Sequence, residues 1–143
     1  MTLHEENNQS ESVTAAIAVM QAHIQALNAR DGEAIAATLH FPHYRLTDGQ
    51  VKVWDGPENY LSDFRARAGG EWGHSDWGRL NVVRASEDKV HLDVQVQRFD
   101  RDGSPLIAFG YLWVIARLDG IWAAQFRSSF APDARIRSGG ERC

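Results

Sequence analysis

WGRLNVVRASEDKVHLDVQVQRFDRDGSPLIAFGYLWVIARLDGIWAAQFRSSF, residues 77–130, decides the fold. Side-chain character alternates with a period of two through residues 77–86, 89–100, 105–118 and 121–130, the pattern of four long β-strands. The breaks at Glu87-Asp88, Arg101-Asp102-Gly103 and Asp119-Gly120 are too short for a crossover, so the strands form an antiparallel meander. Turn lengths also set a register. Two residues at Glu87-Asp88 pair Val83 with Leu92 and Trp77 with Arg98. Three at Arg101-Asp102-Gly103 pair Val96 with Ala108 and Val94 with Gly110. Two at Asp119-Gly120 pair Leu112 with Arg127 and Val114 with Gln125. A slip of one residue turns every side chain beyond it to the other face.

Upstream the period is helical. Val13, Ile17, Met20, Ile24 and Leu27 share one face of a helix over residues 12–29. Asp31 caps a short second helix running to Leu39, which Phe41-Pro42 stops. A hairpin over 43–47 and 50–54 turns at Asp48-Gly49. Asp55 and Glu58 have the spacing of a capping box for a third helix, which runs to about Ala68 and buries Tyr60, Leu61 and Phe64. The reading is α+β: three N-terminal helices packed on a curved antiparallel sheet. Polar residues 1–11 read as a disordered arm and residues 132–143 as a flexible tail, leaving one domain over 12–131.

Composition narrows the function. The 143 residues hold 15 Lys+Arg against 19 Asp+Glu, a net charge of −4, and so give no electrostatic case for nucleic acid or an acidic membrane. The one cysteine, Cys143, permits neither an intrachain disulfide nor a cysteine zinc cage. No apolar run has the length of a membrane span and no signal peptide opens the chain, so a cytoplasmic protein is expected. There is no phosphate-binding glycine loop, Gly-x-Ser-x-Gly elbow or cysteine nucleophile. His40 and His43 are separated by a helix-breaking Pro42 and lack a third ligand, so no metal site and no cofactor is expected.

In the register above, Val83, Val90, Leu92, Val94, Val96, Ala108, Leu112, Val114 and Ala123 face the helices. The other face carries Phe109, Tyr111, Trp113, Ile115, Trp122, Phe126 and Phe130 beside His91, Asp93, Gln95 and Gln97. An uncovered aromatic patch of that size marks an interface, and a homodimer through this sheet face is expected; coverage by the terminal tail is the other solution. At one end of the helix-side face Trp77, Arg79, Asn81, Arg98, Arg127 and Ser129 gather near the small residues Ala108 and Gly110. Buried arginines need partners, either a helix carboxylate such as Asp63 or an anionic ligand. Arg98, Arg127, Asn81 and Trp77 are therefore candidate ligand-binding residues, and Tyr44, where the chain leaves Pro42 for the first strand, is another. His43, at the entry to the first strand, and His74, ahead of Trp77, are the candidate proton shuttles.

The order of elements resembles the nuclear-transport-factor-2-like superfamily, over about residues 12–131. Phe41-Pro42-His43, Trp72-Gly73-His74-Ser75-Asp76-Trp77, Lys89-Val90-His91, Arg98-Phe99-Asp100 and Gly120-Ile121-Trp122 with Arg127-Ser128-Ser129-Phe130 are similar to stretches of its polyketide-cyclase-like (SnoaL-like) branch. The resemblance implies a cystatin-like cone, pairing of two copies through the sheet and a cavity under the helices. It implies a small-molecule-binding protein, with cofactor-independent isomerase, dehydratase or cyclase chemistry as the catalytic form. The superfamily also includes non-catalytic assembly modules, so a regulatory module with a self-filled pocket is the alternative. The ketosteroid-isomerase pattern is not matched: the strand His43-Tyr44-Arg45-Leu46-Thr47 has no carboxylate base, and Asp48 lies in the turn.

Overall fold

The computed structural model describes residues 3–67 and 70–130. Helix α1 (Leu3–Ala29) and helix α2 (Gly32–Ala36) precede a hairpin of β1 (Leu39–Thr47) and β2 (Gln50–Trp54). Helix α3 (Pro57–Arg67) follows, then β3 (Trp72–Ala85), β4 (Lys89–Asp100), β5 (Pro105–Leu118) and β6 (Ile121–Ser129). Two helices, not three, thus precede the first strand. α1 starts at Leu3 rather than residue 12, so most of the expected arm is helical; the expected tail lies outside the described residues. No helix among the described residues is long and apolar enough to cross a membrane.

Local chemistry explains the boundaries. The Asp31 carboxylate accepts the Ala34 N–H at 3.2 Å and caps α2. At α3 the Asn59 side chain accepts the Gly56 N–H at 3.3 Å, so the back-bond expected from Glu58 falls one residue later. Asp48-Gly49 and Asp119-Gly120 have positive φ at both residues, the geometry that closes a two-residue hairpin along the natural strand twist.

The six strands form one sheet in the order β2-β1-β6-β5-β4-β3. β1 runs parallel to β6, so the sheet is not wholly antiparallel. In the meander each turn sets the expected register, and bulges then shift it. Ala85 pairs with Val90 as expected, but Leu92 meets Val82 rather than Val83, and Trp77 meets Val96 rather than Arg98. Phe99 pairs with Pro105 as expected, but Val96 then meets Phe109 and Val94 meets Tyr111. Ile115 pairs with Ala124 as expected, but Val114 then meets Phe126 and Trp113 meets Arg127. Glycine marks two of the β3 irregularities. Gly73 sits between Trp72 and His74, where a Cβ would collide with the Asp100 carbonyl, and Gly78 sits between Trp77 and Arg79.

These shifts overturn the expected assignment of faces. Phe109, Tyr111, Trp113 and Ile115 are buried on the side of Val90, Leu92, Val94 and Val96, packed with Ala16, Met20, Ile24 and Leu27 of α1 and Tyr60 and Phe64 of α3. Ala108, Leu112 and Val114 turn outward with His91, Asp93, Gln95 and Gln97. Four residues of the patch expected to demand a partner, Phe109, Tyr111, Trp113 and Ile115, are therefore core, because the helices cover them, whereas Phe130 stays exposed.

The register makes a stability prediction. Ile115→Ala should cost about 2–5 kcal/mol, the range for emptying a well-packed core site, and Val114→Ala well under half of that. Urea unfolding of the two variants checks it; equal losses, or the reverse order, would return the sheet to the unshifted register.

Candidate functional site

Beneath the helices lies a cavity of about 20 Å³, space for one or two waters at ~10–15 Å³ each. α1 contributes His23 and Leu27, α3 contributes Tyr60 and Phe64, and the sheet contributes Ser75, Trp77, Val96, Arg98, Tyr111, Trp113 and Arg127. Arg98 and Arg127 therefore both line one cavity, and Trp77 forms part of its wall. Its indole N–H donates to the Met20 carbonyl at 2.8 Å, tying β3 to α1.

The polar lining is rich in donors. Arg98 is 1% exposed and its Nε and Nη1 have no hydrogen-bond partner; Trp113 Nε1 is likewise buried without one. The Arg98 guanidinium lies 5.6 Å from the Trp72 ring. That of Arg127 lies 5.3 Å from Trp113, 5.8 Å from Tyr60 and 6.0 Å from both Trp54 and Tyr111, and its Nη2 donates to the Tyr60 hydroxyl at 3.2 Å. Aromatic faces offset part of the desolvation of a guanidinium but do not replace hydrogen-bond acceptors. Among the described residues the buried set includes no Asp or Glu. Asp63, the carboxylate expected beside a buried arginine, accepts from Trp54 Nε1 at 2.8 Å and pairs with Lys52 at 3.1 Å.

Two buried histidines flank these cations. The Thr38 hydroxyl donates to the Ile35 carbonyl at 2.7 Å, so the 2.8 Å contact between Thr38 Oγ1 and His23 Nδ1 has the imidazole as donor. The His23 lone pair is thereby assigned to Nε2. His43 Nδ1 donates to the Ala124 carbonyl at 3.1 Å, and its buried Nε2 has no partner. Burial first, and the Arg127 charge second, lower the pKa of each from 6.5 to about 3. Both are neutral at ordinary pH.

The remaining candidates lie elsewhere. His43 is packed against Trp54 and Tyr60, with ring centroids 6.0 Å away in each case, and is not in the cavity lining. His74 stacks on Phe99 at 4.5 Å and lies 3.9 Å from the Asp76 carboxylate, on the face turned away from Arg98. Tyr44 alternates outward from buried Arg45, and exposed Asn81 pairs with Asp93 on the outer face. Sequence reasoning missed His23, although it stands three residues after Met20 and four before Leu27 on the buried stripe of α1. It missed Tyr111 and Trp113 through the register shift. Among the described residues no group of three His, Cys, Asp or Glu is placed to hold a metal ion.

The histidines predict a pH dependence. Unfolding returns each pKa to 6.5, so between pH 6.5 and about 3 the unfolded chain binds protons that the folded chain refuses. Their contribution to stability is complete above pH 6.5 and declines as the pH falls, by up to about 1.4 kcal/mol per pH unit for each histidine. Urea midpoints from pH 7 to pH 4 should show this fall, and His23→Asn should flatten it. An unchanged slope in the variant would rule His23 out as its source.

No protein-family model matches the sequence. No curated protein matches it either. Solved structures do. A protein of unknown function with a cystatin-like fold from Nostoc punctiforme is 13% identical, with a TM-score of 0.67, over 81% of this chain and 87% of that one. The hexachlorocyclohexane dehydrochlorinase LinA-type3 from Novosphingobium barchaimii is 20% identical, with a TM-score of 0.67, over 87% of this chain and 88% of that one. The association domain of CaMKII from C. elegans is 16% identical, with a TM-score of 0.64, over 86% of this chain and 98% of that one. At these identities the likeness is one of architecture alone: this chain has the cystatin-like fold.

Proposed function

We propose that the protein is a small-molecule-binding member of the polyketide-cyclase-like branch, and that its interior takes a compact anionic group, a carboxylate or an enolate oxygen, against Arg98 and Arg127. The observation that carries this reading is the set of buried donors without acceptors on residues lining the cavity: Arg98 Nε and Nη1, and Trp113 Nε1. Such groups cost free energy until an acceptor reaches them, and an anion is the acceptor that suits a guanidinium best. In the catalytic form of this reading, Arg98 stabilises a developing oxyanion and the neutral imidazole of His23 accepts a proton from carbon. An anion on the arginines also weakens the positive field that holds the His23 pKa down, so ligand binding makes it a better base. His43 is a second acceptor, one packing layer behind Tyr60. The dehydrochlorinase among the structural neighbours supports small-molecule chemistry in this architecture.

The volume of about 20 Å³ favours a second reading, a non-catalytic assembly or regulatory module whose pocket is filled by its own side chains. The neighbouring association domain is consistent with it. Both readings include pairing of two copies through the outer sheet face, where half-buried Leu112, Val114 and Phe126 lie among Gln95, Gln97 and His91.

Titration calorimetry with formate and acetate, against formamide and acetamide, separates the two. The anions should bind and the amides should not. Arg98→Met should abolish the response while leaving thermal stability equal or higher, because it removes a desolvated charge. No anion response in the parent protein transfers the weight to the assembly reading. Light scattering should give twice the chain mass, and Val114→Glu should halve it; a monomeric parent would exclude the pairing.

A further inference from the structure

A larger cavity, about 360 Å³, opens between the β1–β2 hairpin and α3. Arg45, Thr47, Lys52, Trp54, Asp63 and Ala66 line it. Its volume falls within the ~300–1,000 Å³ of small-molecule sites, and the interior cavity does not. Backbone register explains its charge. Lys52 is the ladder partner of Arg45 on β1, and Arg45 is in turn the ladder partner of Arg127 on β6. Three cationic side chains therefore stand on three adjacent strands, whose backbones are about 4.8 Å apart. Like charges directly opposite one another destabilise a sheet. Asp63 pairs with Lys52 at 3.1 Å. Two residues along β1, on the same face as Arg45, the Thr47 hydroxyl is buried with no hydrogen-bond partner and also lines the cavity. Trp54 and Ala66 supply an apolar wall.

We propose that this cleft is a second binding site, distinct from the interior cavity, for an organic oxyanion: a carboxylate or phosphate monoester carried on an aromatic or compact apolar body. The oxyanion sits between Arg45 and Lys52 and accepts the Thr47 O–H. The apolar body lies along Trp54 and Ala66. Asp63 is the competing anion, which holds Lys52 at the rim until ligand takes part of its charge. Two cationic side chains with an unused hydroxyl beside them are what an oxyanion needs, and an uncharged ligand would forgo the charge-assisted contacts.

Two-dimensional amide NMR of the full chain tests this, with benzoate and phenyl phosphate as the two sources of the oxyanion and benzamide as the neutral control. Benzoate or phenyl phosphate should shift the amides of Thr47, Gln50 and Val51 saturably; benzamide should not. Lys52→Met should weaken binding about tenfold, the loss of one charge-assisted contact. Thr47→Val should weaken it severalfold. Asp63→Asn should tighten it, because the competing carboxylate is gone while an acceptor for Trp54 Nε1 remains; a merely structural role for Asp63 would not do this. Arg98→Met alters the interior cavity and should leave binding here unchanged, so failure of the interior site and failure of this one are told apart. Absence of saturable shifts at the hairpin, or shifts indifferent to Lys52→Met and Asp63→Asn, would overturn the proposal. A response reproduced by sodium chloride at equal ionic strength would do so too, as general screening.

Discussion

The interior of this protein depends on the strict two-residue period of a β-strand, interrupted by bulges. Every side chain of β4 and β5 has one of two directions, and one extra residue on β5, Leu106, between the partners of Phe99 and Arg98, reverses the choice for everything that follows on that strand. That single count brings Phe109, Tyr111, Trp113 and Ile115 under the helices and turns Leu112 and Val114 outward. Between Val114 and Ile115 a second irregularity seats Arg127 opposite Trp113. Core, cavity wall and buried cations all follow from these interruptions. Gly73 and Gly78 allow β3 to follow the same curvature, Gly73 where a side chain would strike the Asp100 carbonyl.

Electrostatics then follows from the packing. The sheet buries Arg45, Arg98 and Arg127 on one face, among aromatic rings, with no carboxylate in the buried part of the described residues. His23 and His43 are kept neutral by their own burial first and by the neighbouring Arg127 charge second. A protein stabilised only by burial gains little from such an arrangement, since a leucine or methionine in place of Arg98 would avoid its desolvation. The arrangement suits a ligand that brings negative charge. The small interior cavity and the larger cleft under the β1–β2 hairpin are two separate places, one enclosed by aromatics and one open at the rim.

A cystatin-like fold shared with a dehydrochlorinase and with a kinase association domain fixes neither activity. Function on this scaffold resides in the side chains that line it. Here those side chains are donors and neutral imidazoles, without the carboxylate base that a ketosteroid-isomerase-type site would require.

What the sequence determined was local. Periodicity located the strands of the meander, Asp-Gly pairs set both two-residue hairpins, Asp31 capped α2, and each turn imposed the register of the first pairs beside it. Those features depend on residues close in the chain, so a linear reading reaches them. The inward position of Arg98 was legible too, because β4 alternates cleanly from Val90 to Arg98, whereas Arg127 is inward opposite Trp113 and not opposite the expected Leu112. Tertiary structure decided what those strands face. A bulge is the insertion of one residue relative to a partner far away in sequence, and apart from a glycine such as Gly73 or Gly78 it leaves no local mark. The inner place of Tyr111 and Trp113, the outer place of His74 and Asn81, the parallel pairing of β1 with β6, and the row of Lys52, Arg45 and Arg127 all arise from long-range alignment, which no single segment encodes.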